Sequence, residues 1–333
     1  ISLLTDLLAL SSSTVQSDGM LVIEPLAAGV SIGLGGGTGT LNLTDTEIAQ
    51  LADGFSSITI GRADGQHAIE IDSATFTDPL TIQTPVGGSI RVMDSGATTV
   101  GLRGNDDATL TLDGPDATTT LQADIITQGN AILINDSVIV GANVMLDTTD
   151  GGNSAAGANI TITGTTPSDA TVDADAAANN RTLTFTAGTG GDILLTGDVG
   201  GTDALESLTV TSARVATFDG VIVQSGGISI TADEVEFTGG TDSVATNSAG
   251  AIVLQPLTVA QNINIGMTAD VGTNLFDNFD LTDTDIAALA DLFSEITIGR
   301  EADGTGTVDV DSSSFNDDLT IVGASVSVTE LSS

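Results

Sequence analysis

The sequence predicts an all-β chain folded as a parallel β-helix, or β-solenoid. Its dominant pattern is a short triplet with apolar ends and a polar centre, as in Ile58-Thr59-Ile60, Ile69-Glu70-Ile71 and Leu80-Thr81-Ile82. Alternation with period two indicates strands with one buried face. The triplets in this region start at residues 58, 69, 80 and 90, and Gly, Asp, Asn, Thr and Ser form the turns between them. Strands this short and numerous favour a solenoid over a single sandwich.

A long segment of the chain occurs twice. Leu43 to Arg62 read LTDTEIAQLADGFSSITIGR, and Leu281 to Arg300 read LTDTDIAALADLFSEITIGR, with 16 of 20 positions identical. Duplicated supersecondary units are typical of tandem arrays, which build extended surfaces. We therefore divide the chain into an N-terminal apolar segment that docks or caps (1–20), block A (21–94), central coils (95–250) and block A′ (251–333).

Each block contains a segment with helical instead of strand periodicity. In block A, Thr44 is placed to cap a helix, and Glu47 can return a hydrogen bond as its capping-box partner. Thr282 and Asp285 occupy the same positions in block A′. Apolar residues at helical spacing follow in both copies. The sequence therefore predicts a short amphipathic helix in each block, over 44–55 and over 282–293.

The central coils include three triplets that are apolar throughout, and we expect these strands to be covered on both faces. They are Ile132-Leu133-Ile134, Val138-Ile139-Val140 and Val144-Met145-Leu146. The stretch 165–180 is rich in Ala and Asp, which predicts a loop that protrudes from the coils.

Composition excludes several classes of function. The 45 acidic residues face six Arg and no Lys, and a net charge of −39 would repel nucleic acid and anionic membranes. The absence of Cys rules out disulfides, thiolate metal ligands and a Cys nucleophile. No apolar run approaches the ~18 residues of a membrane span, so we expect no membrane insertion. The first residues carry neither Met nor a basic flank, which suggests a processed end or a piece of a larger precursor.

Acidic turns are candidate calcium ligands because Ca²⁺ prefers hard oxygen donors. The candidates are Asp106, Asp107, Asp147, Asp150, Asp203 and Asp242. They match neither the EF-hand loop nor a complete nonapeptide calcium repeat. Solvated turn carboxylates are therefore the simpler interpretation, and Ca²⁺ is the one cofactor that the composition suggests.

Two repeated cations and a single imidazole complete the set of candidate residues. Arg62 and Arg300 hold equivalent positions, and we expect each to bind turn carboxylates of its own chain through a bidentate pair. His67 aligns with Gly306, so we expect an exposed turn residue and not a base or metal ligand.

Several phrases of the chain resemble the repeats of very large bacterial surface proteins of the filamentous-haemagglutinin-like, β-strand-repeat class. They are GNAILINDSVIVGANVMLDTT, AAGANITITGT, NNRTLTFTAGTGGDILLTGDVGG, ITIGR and FTDPLTIQTP, and the resemblance spans residues 21–328. It implies a parallel, usually right-handed β-helix in an exported adhesin or extracellular fibre at a bacterial surface. The short helical segment is not a general feature of that class.

These observations favour a structural, non-catalytic segment of an extracellular filament or adhesin, joined by end-to-end stacking or as a link in a longer array. One alternative is a surface module that binds calcium or carbohydrate, such as host, cell-surface or matrix glycans. Another is a β-helical enzyme that acts on polysaccharides. The enzyme is disfavoured because paired carboxylates are too common here to be diagnostic, while Trp, Tyr and Lys are absent.

Overall fold

A computed structural model describes residues 1–10, 14–84, 86–96, 99–269, 277–311 and 313–329. In block A and the segment before it, the elements are β1 Ser2–Leu4, β2 Met20–Glu24, β3 Ile32–Gly35, β4 Leu41–Leu43, α1 Asp45–Ile48, β5 Ser57–Ile60, β6 Ala68–Asp72, β7 Ala74–Phe76, β8 Leu80–Gln83 and β9 Ser89–Met93.

The central part continues with β10 Val100–Gly104, β11 Leu110–Asp113, β12 Thr119–Leu121, β13 Asp124–Thr127, β14 Ile132–Asn135, β15 Val138–Val140, β16 Val144–Asp147, β17 Ile160–Thr163, β18 Val172–Ala174, β19 Thr182–Thr186, β20 Ile193–Leu195, β21 Ser207–Phe218, β22 Ile222–Gln224, β23 Ile228–Phe237 and β24 Val244–Thr246. Two 3₁₀ turns, Pro167–Asp169 and Ala177–Asn179, flank β18.

Block A′ contains β25 Ala251–Gln255, β26 Ile263–Met267, β27 Phe279–Thr282, α2 Asp283–Ala288, β28 Glu295–Ile298, β29 Thr307–Val310, β30 Leu319–Ile321 and β31 Ser325–Val328. None of the described helices has the length and apolar character needed to cross a membrane.

The strands pair in parallel and form three ladders. The first ladder contains β8, β11, β14, β17 and β20, the second β9, β12, β15 and β18, and the third β10, β13, β16 and β19. The chain visits the three ladders in this order and then begins again, so each turn of the chain stacks on the turn before it. This is a β-solenoid-like arrangement, in agreement with the all-β prediction.

Parallel register places similar residues directly above one another. One such column in the first ladder consists of Ile82, Leu112, Ile134, Ile162 and Leu195, all of them buried. The polar centres of the triplets point away from this core and are half-buried. Burial of the apolar ends therefore fixes which face of each short strand points inward.

Two expectations for the central coils were wrong. The middle residues of the all-apolar triplets, Leu133, Ile139 and Met145, are half-buried and not fully covered. The stretch 165–180 contains strand β18, which pairs with β15 in the second ladder and is buried. Val172 and Ala174 supply the inward pair that the Ala- and Asp-rich composition obscured.

The helical segments are shorter than the predicted spans, because α1 ends at Ile48 and α2 ends at Ala288. The residues that follow adopt an extended form and bridge to a neighbouring pass of the chain, with Leu51 beside Val15 and Leu289 beside Val244. The Ala52 backbone nitrogen, for example, donates to the Val15 carbonyl at 2.9 Å. Inter-coil hydrogen bonds therefore replace the later turns of the predicted helices.

The two blocks occupy different faces of the stack. Block A begins with β2, which pairs with β5 in the first ladder. Block A′ begins with β25, which pairs with β23 and through it with β21 and the third ladder. The duplicated segments are therefore shifted by one ladder relative to each other.

Candidate functional site

A groove lies beside the helical segment in both blocks. In block A it has a volume of about 570 Å³ and lies between the end of α1, near Ile48 and Leu51, and strand β7 at Phe76. In block A′ a smaller groove of about 170 Å³ is lined by the equivalent Ile286, Leu289 and Phe315. Because the same positions line both, the groove is a property of the repeated block.

Three carboxylates meet at the edge of the block A groove. Asp53 follows the helical segment, Asp78 follows β7, and Asp107 lies in the turn between β10 and β11. One carboxylate oxygen of each lies within 4.8 Å of the others. Asp53 and Asp107 are exposed, whereas Asp78 is only 1% exposed. The pairing of β7 with β10 brings the last two together on consecutive coils.

Asp78 is buried with half of its carboxylate unsatisfied. Its Oδ1 accepts a hydrogen bond from the Gly54 nitrogen at 2.8 Å, but its buried Oδ2 has no hydrogen-bond partner within the described residues. Burial raises the pKa of Asp78, backbone hydrogen bonds from Gly54 and Phe55 lower it, and the carboxylates of Asp53 and Asp107 raise it further, with a net upward shift. The described residues therefore compensate one oxygen of this buried acid, while its Oδ2 has neither a donor nor a cation beside it.

A second unsatisfied oxygen lies in the same turn as Asp107. Asn105 donates its backbone nitrogen to the Phe76 carbonyl at 2.8 Å, two residues before Asp78. Its side-chain Oδ1 is buried and has no partner within the described ranges. Asp78 Oδ2 and Asn105 Oδ1 are thus two buried oxygen atoms without donors on neighbouring coils, and each such atom in a folded chain calls for an explanation.

In the described part of the chain, no Arg forms an ion pair with these three carboxylates. The six Arg side chains, which are all the Arg and Lys of the chain, pair instead with Asp64, Glu70, Asp150, Asp175, Asp192 and Asp303. The three carboxylates therefore combine high negative charge with an orphaned oxygen.

Block A′ repeats part of the arrangement. Asp291 and Asp317 are the equivalents of Asp53 and Asp78, and Asp317 accepts a hydrogen bond from the Phe293 nitrogen at 3.1 Å. Within the part of the chain that the structure describes, no third carboxylate completes a cluster there. Block A′ thus retains two of the three acidic positions.

The structure does not bring the predicted calcium candidates together. Asp107 belongs to the three-carboxylate cluster, and Asp106 beside it is exposed with φ of 54°. Asp147 accepts hydrogen bonds from the Thr149 and Gly151 nitrogens at 2.6 and 2.8 Å, so it closes a turn. Asp150 forms an ion pair with Arg103 at 2.7 Å.

The remaining two candidates lie on other coils. Asp203 accepts a hydrogen bond from the Ala177 nitrogen at 3.1 Å. Asp242, with φ of 57°, lines the groove of block A′. Both carboxylates are turn residues at separate positions of the stack.

Both predicted caps make contacts at the start of their helices. The Thr44 nitrogen donates to Glu47 Oε2, and the Thr282 nitrogen donates to Asp285 Oδ2, each at 3.0 Å. Asp285 also accepts a hydrogen bond from the Phe237 nitrogen at 2.9 Å, which joins α2 to β23. The caps therefore lie at junctions between passes of the chain.

The repeated arginines close equivalent loops. Arg62 binds both carboxylate oxygens of Asp64 at 2.8 Å and donates to the Pro25 carbonyl at 3.1 Å. Arg300 binds Asp303 at 2.7 and 3.0 Å and donates to the Pro256 carbonyl at 3.0 Å. Each bidentate pair thus joins its own turn to the start of its block.

The expectation for His67 was wrong, because its side chain is buried. Its Nδ1 lies 3.3 Å from the Ala28 carbonyl oxygen, and its Nε2 lies 3.2 Å from the Arg62 backbone nitrogen. The imidazole fills the space beneath the Arg62 turn, whereas Gly306 occupies this position in block A′. His67 is a packing residue that links two loops.

Sequence reasoning missed Asp53 and Asp78. Both recur in block A′ as Asp291 and Asp317, and for Asp78 this was a usable signal, because the residues on either side of it differ between the two blocks. Comparison with known proteins adds no further residue, since no family model, curated protein or solved structure matches the chain.

Proposed function

We propose that the chain is a structural, non-catalytic segment of an extracellular bacterial filament or adhesin. In this proposal its solenoid-like coils are a right-handed parallel β-helix that continues end to end, with a short amphipathic helix as a recurring insertion. The observation that carries the proposal is an uncovered core column at the β31 edge.

The inward positions of the last strands stack in register. Ile263, Val308 and Val326 form one column across β26, β29 and β31. Val308 is 1% exposed, whereas Val326 is 48% exposed, and Val328 two residues later is 77% exposed. Val326 and Val328 therefore have the sequence of core residues but the exposure of surface residues, as expected where another coil would stack.

The edge strand is also open to hydrogen bonding. Within the described residues β31 pairs with β29 on one side alone. Such an edge recruits another strand unless it is protected by charge, Pro or a cover. Its alternation of Ser with Val provides none of these devices.

The partner in this proposal is the β1 end of a second copy, or the corresponding coil in a longer array. Among the residues that the structure describes, strand β1 pairs with β2 alone, and the nearby apolar side chains of Ile1, Leu4 and Leu7 are exposed. Parallel strand addition of β31 to such an edge would continue the direction of the ladders. A contact between two different ends is heterologous, so it builds an open fibre.

The test compares two double variants of the same strand. Val326→Asp with Val328→Asp places charge on the stacking face, whereas Ser325→Asp with Ser327→Asp adds the same charge on the opposite face. Sedimentation and negative-stain imaging at moderate salt, which screens the charge of −39, should show rods for the native chain and the Ser variant, and single units for the Val variant. A native chain that stays monomeric at high concentration, or equal assembly of both variants, would contradict end-to-end stacking.

The glycan-binding and enzymatic alternatives remain hypotheses from the sequence. A glycan array and an assay of depolymerisation of acidic polysaccharides would test them directly.

A further inference from the structure

We propose that Asp53, Asp78 and Asp107 together bind one Ca²⁺ ion at the edge of the block A groove. The site is independent of filament assembly, because it lies in block A and not at the β31 edge. It differs from the turns that the sequence suggested, since two of its three carboxylates come from other segments.

The spacing of the oxygens fits a single ion. Oxygens that bind the same Ca²⁺ at about 2.4 Å can be at most about 4.8 Å apart, and one oxygen from each of the three carboxylates meets this limit. Mg²⁺ demands a smaller and nearly ideal octahedron, whereas Ca²⁺ accepts irregular sets of oxygen ligands. Three carboxylates from different segments favour the larger ion.

A second observation separates this cluster from the many acidic turns of the chain. Asp78 is 1% exposed, and its Oδ2 has no hydrogen-bond partner within the described residues. Asp147, by comparison, is equally buried but has backbone donors on both oxygens. A cation beside Asp78 would compensate for the missing donor and would remove the repulsion from Asp53 and Asp107.

The buried Oδ1 of Asn105 offers a neutral oxygen ligand in the same turn as Asp107. Amide and carboxylate oxygens together form the usual ligand set of protein Ca²⁺ sites, and water completes the coordination. The turn therefore offers the two types of side-chain oxygen that Ca²⁺ binds in proteins.

The proposed ion joins three passes of the chain. Asp53 belongs to the segment that follows α1, Asp78 to the turn after β7, and Asp107 to the next coil. Their mutual repulsion loosens this region without the ion, and a bound ion holds the helical segment against the stack. Binding should therefore stabilise the folded chain by linkage.

The experiment uses the full chain, freed of metal by a chelator, in about 150 mM NaCl to screen diffuse attraction. Calcium chloride is titrated in by calorimetry, and thermal unfolding is followed with and without it. Asp53→Asn and Asp107→Asn test the exposed ligands. Asp291→Asn, at the position in block A′ equivalent to Asp53, and Asp106→Asn are the matched controls.

We expect one saturable Ca²⁺ site in the native chain and in both controls. Asp53→Asn and Asp107→Asn should each weaken binding by at least about tenfold, since loss even of outer-shell partners costs this much, and should lose the rise in melting temperature. Without Ca²⁺ these two variants should melt at or above the native temperature, because each removes a repulsive charge; a merely structural residue would not give this result. Weak, unsaturable binding that is the same in all variants, or equal binding by Asp53→Asn and Asp291→Asn, would overturn the proposal.

Discussion

Glu234 in β23 is expected to make the stability of the chain depend on pH. Its side chain is fully buried, and its oxygens accept hydrogen bonds from the nitrogens of Val235 at 2.8 Å and Asp280 at 3.3 Å. Burial raises the pKa of Glu234 from 4.5 to about 10, and the Asp280 carboxylate contributes in the same direction. At neutral pH the group is therefore protonated when folded and ionised when unfolded.

The raised pKa determines the sign of the effect. The contribution of Glu234 to the free energy of unfolding is fully present below the unfolded pKa of 4.5, and it is lost as pH rises towards the folded value of about 10. At about 1.36 kcal/mol per unit of pH, the loss between pH 5 and pH 7 amounts to about 2.5 kcal/mol. Glu234→Gln removes the ionisable group, so it should also remove this contribution to the difference in unfolding free energy between pH 5 and pH 7.

Urea unfolding at pH 5 and pH 7 measures the difference in the free energy of unfolding without adding salt. Because each variant is compared with itself at two pH values, any loss of packing energy that Glu234→Gln causes at both pH values cancels. Glu301→Gln in an exposed turn is the control and should keep the native difference. If Glu234→Gln depends on pH as strongly as the native chain, Glu234 is not the buried, protonated group described here.

Three further outcomes are expected. Burial raises the pKa of Asp136 to about 7, so Asp136→Asn should reduce the same pH 5 to pH 7 difference by about 2 kcal/mol in urea unfolding. Ile134→Ala removes an inward side chain and should cost about 3 kcal/mol of unfolding free energy, against less than about 1 kcal/mol for the outward Leu133→Ala; equal losses would contradict the assigned faces. Gly61 and Gly299 have φ of 105° and 106°, and a Cβ at either would lie 2.0 Å from a carbonyl oxygen, so each Gly→Ala change should cost about 2 kcal/mol, and unchanged denaturation midpoints would exclude this turn geometry.

The fold class could be predicted because the alternation within each triplet shows which of its residues are buried. Parallel stacking places apolar ends such as Leu112 and Ile134 in one column, and period-two alternation is the sequence form of that column. The assignment of each triplet to a ladder could not be predicted. Successive partners of Leu80 along the first ladder are 22 to 33 residues apart, because turns of different length separate them.

In the helical segments, tertiary contacts override the helical pattern of the sequence. Caps at Thr44 and Thr282 indicate where each helix begins. Helical spacing after Ile48 also predicts helix, but hydrogen bonds to the Val15 pass satisfy the backbone there in extended form. Where the helix ends depends on contacts with a segment distant in sequence, so the local sequence does not predict it.

The candidate site was accessible only in part for the same reason. Asp107 belongs to an acidic turn that the sequence marks clearly, whereas Asp53 and Asp78 reach it through the pairing of β7 with β10 and the path after α1. His67 was misjudged because its burial depends on the distant Ala28 loop. No local pattern marks residues that distant segments bring together, and for Asp78 its recurrence as Asp317 between differing neighbours was the available signal.

A cryo-electron microscopy map of the assembled material would test the central claim most directly, because it shows what lies against β31. Continuous solenoid stacking predicts a strand of the next unit about 4.8 Å from β31, parallel to it, with Val326 and Val328 buried in a core that runs through the junction. A map in which units associate through their outer faces while β31 stays open to solvent would contradict it.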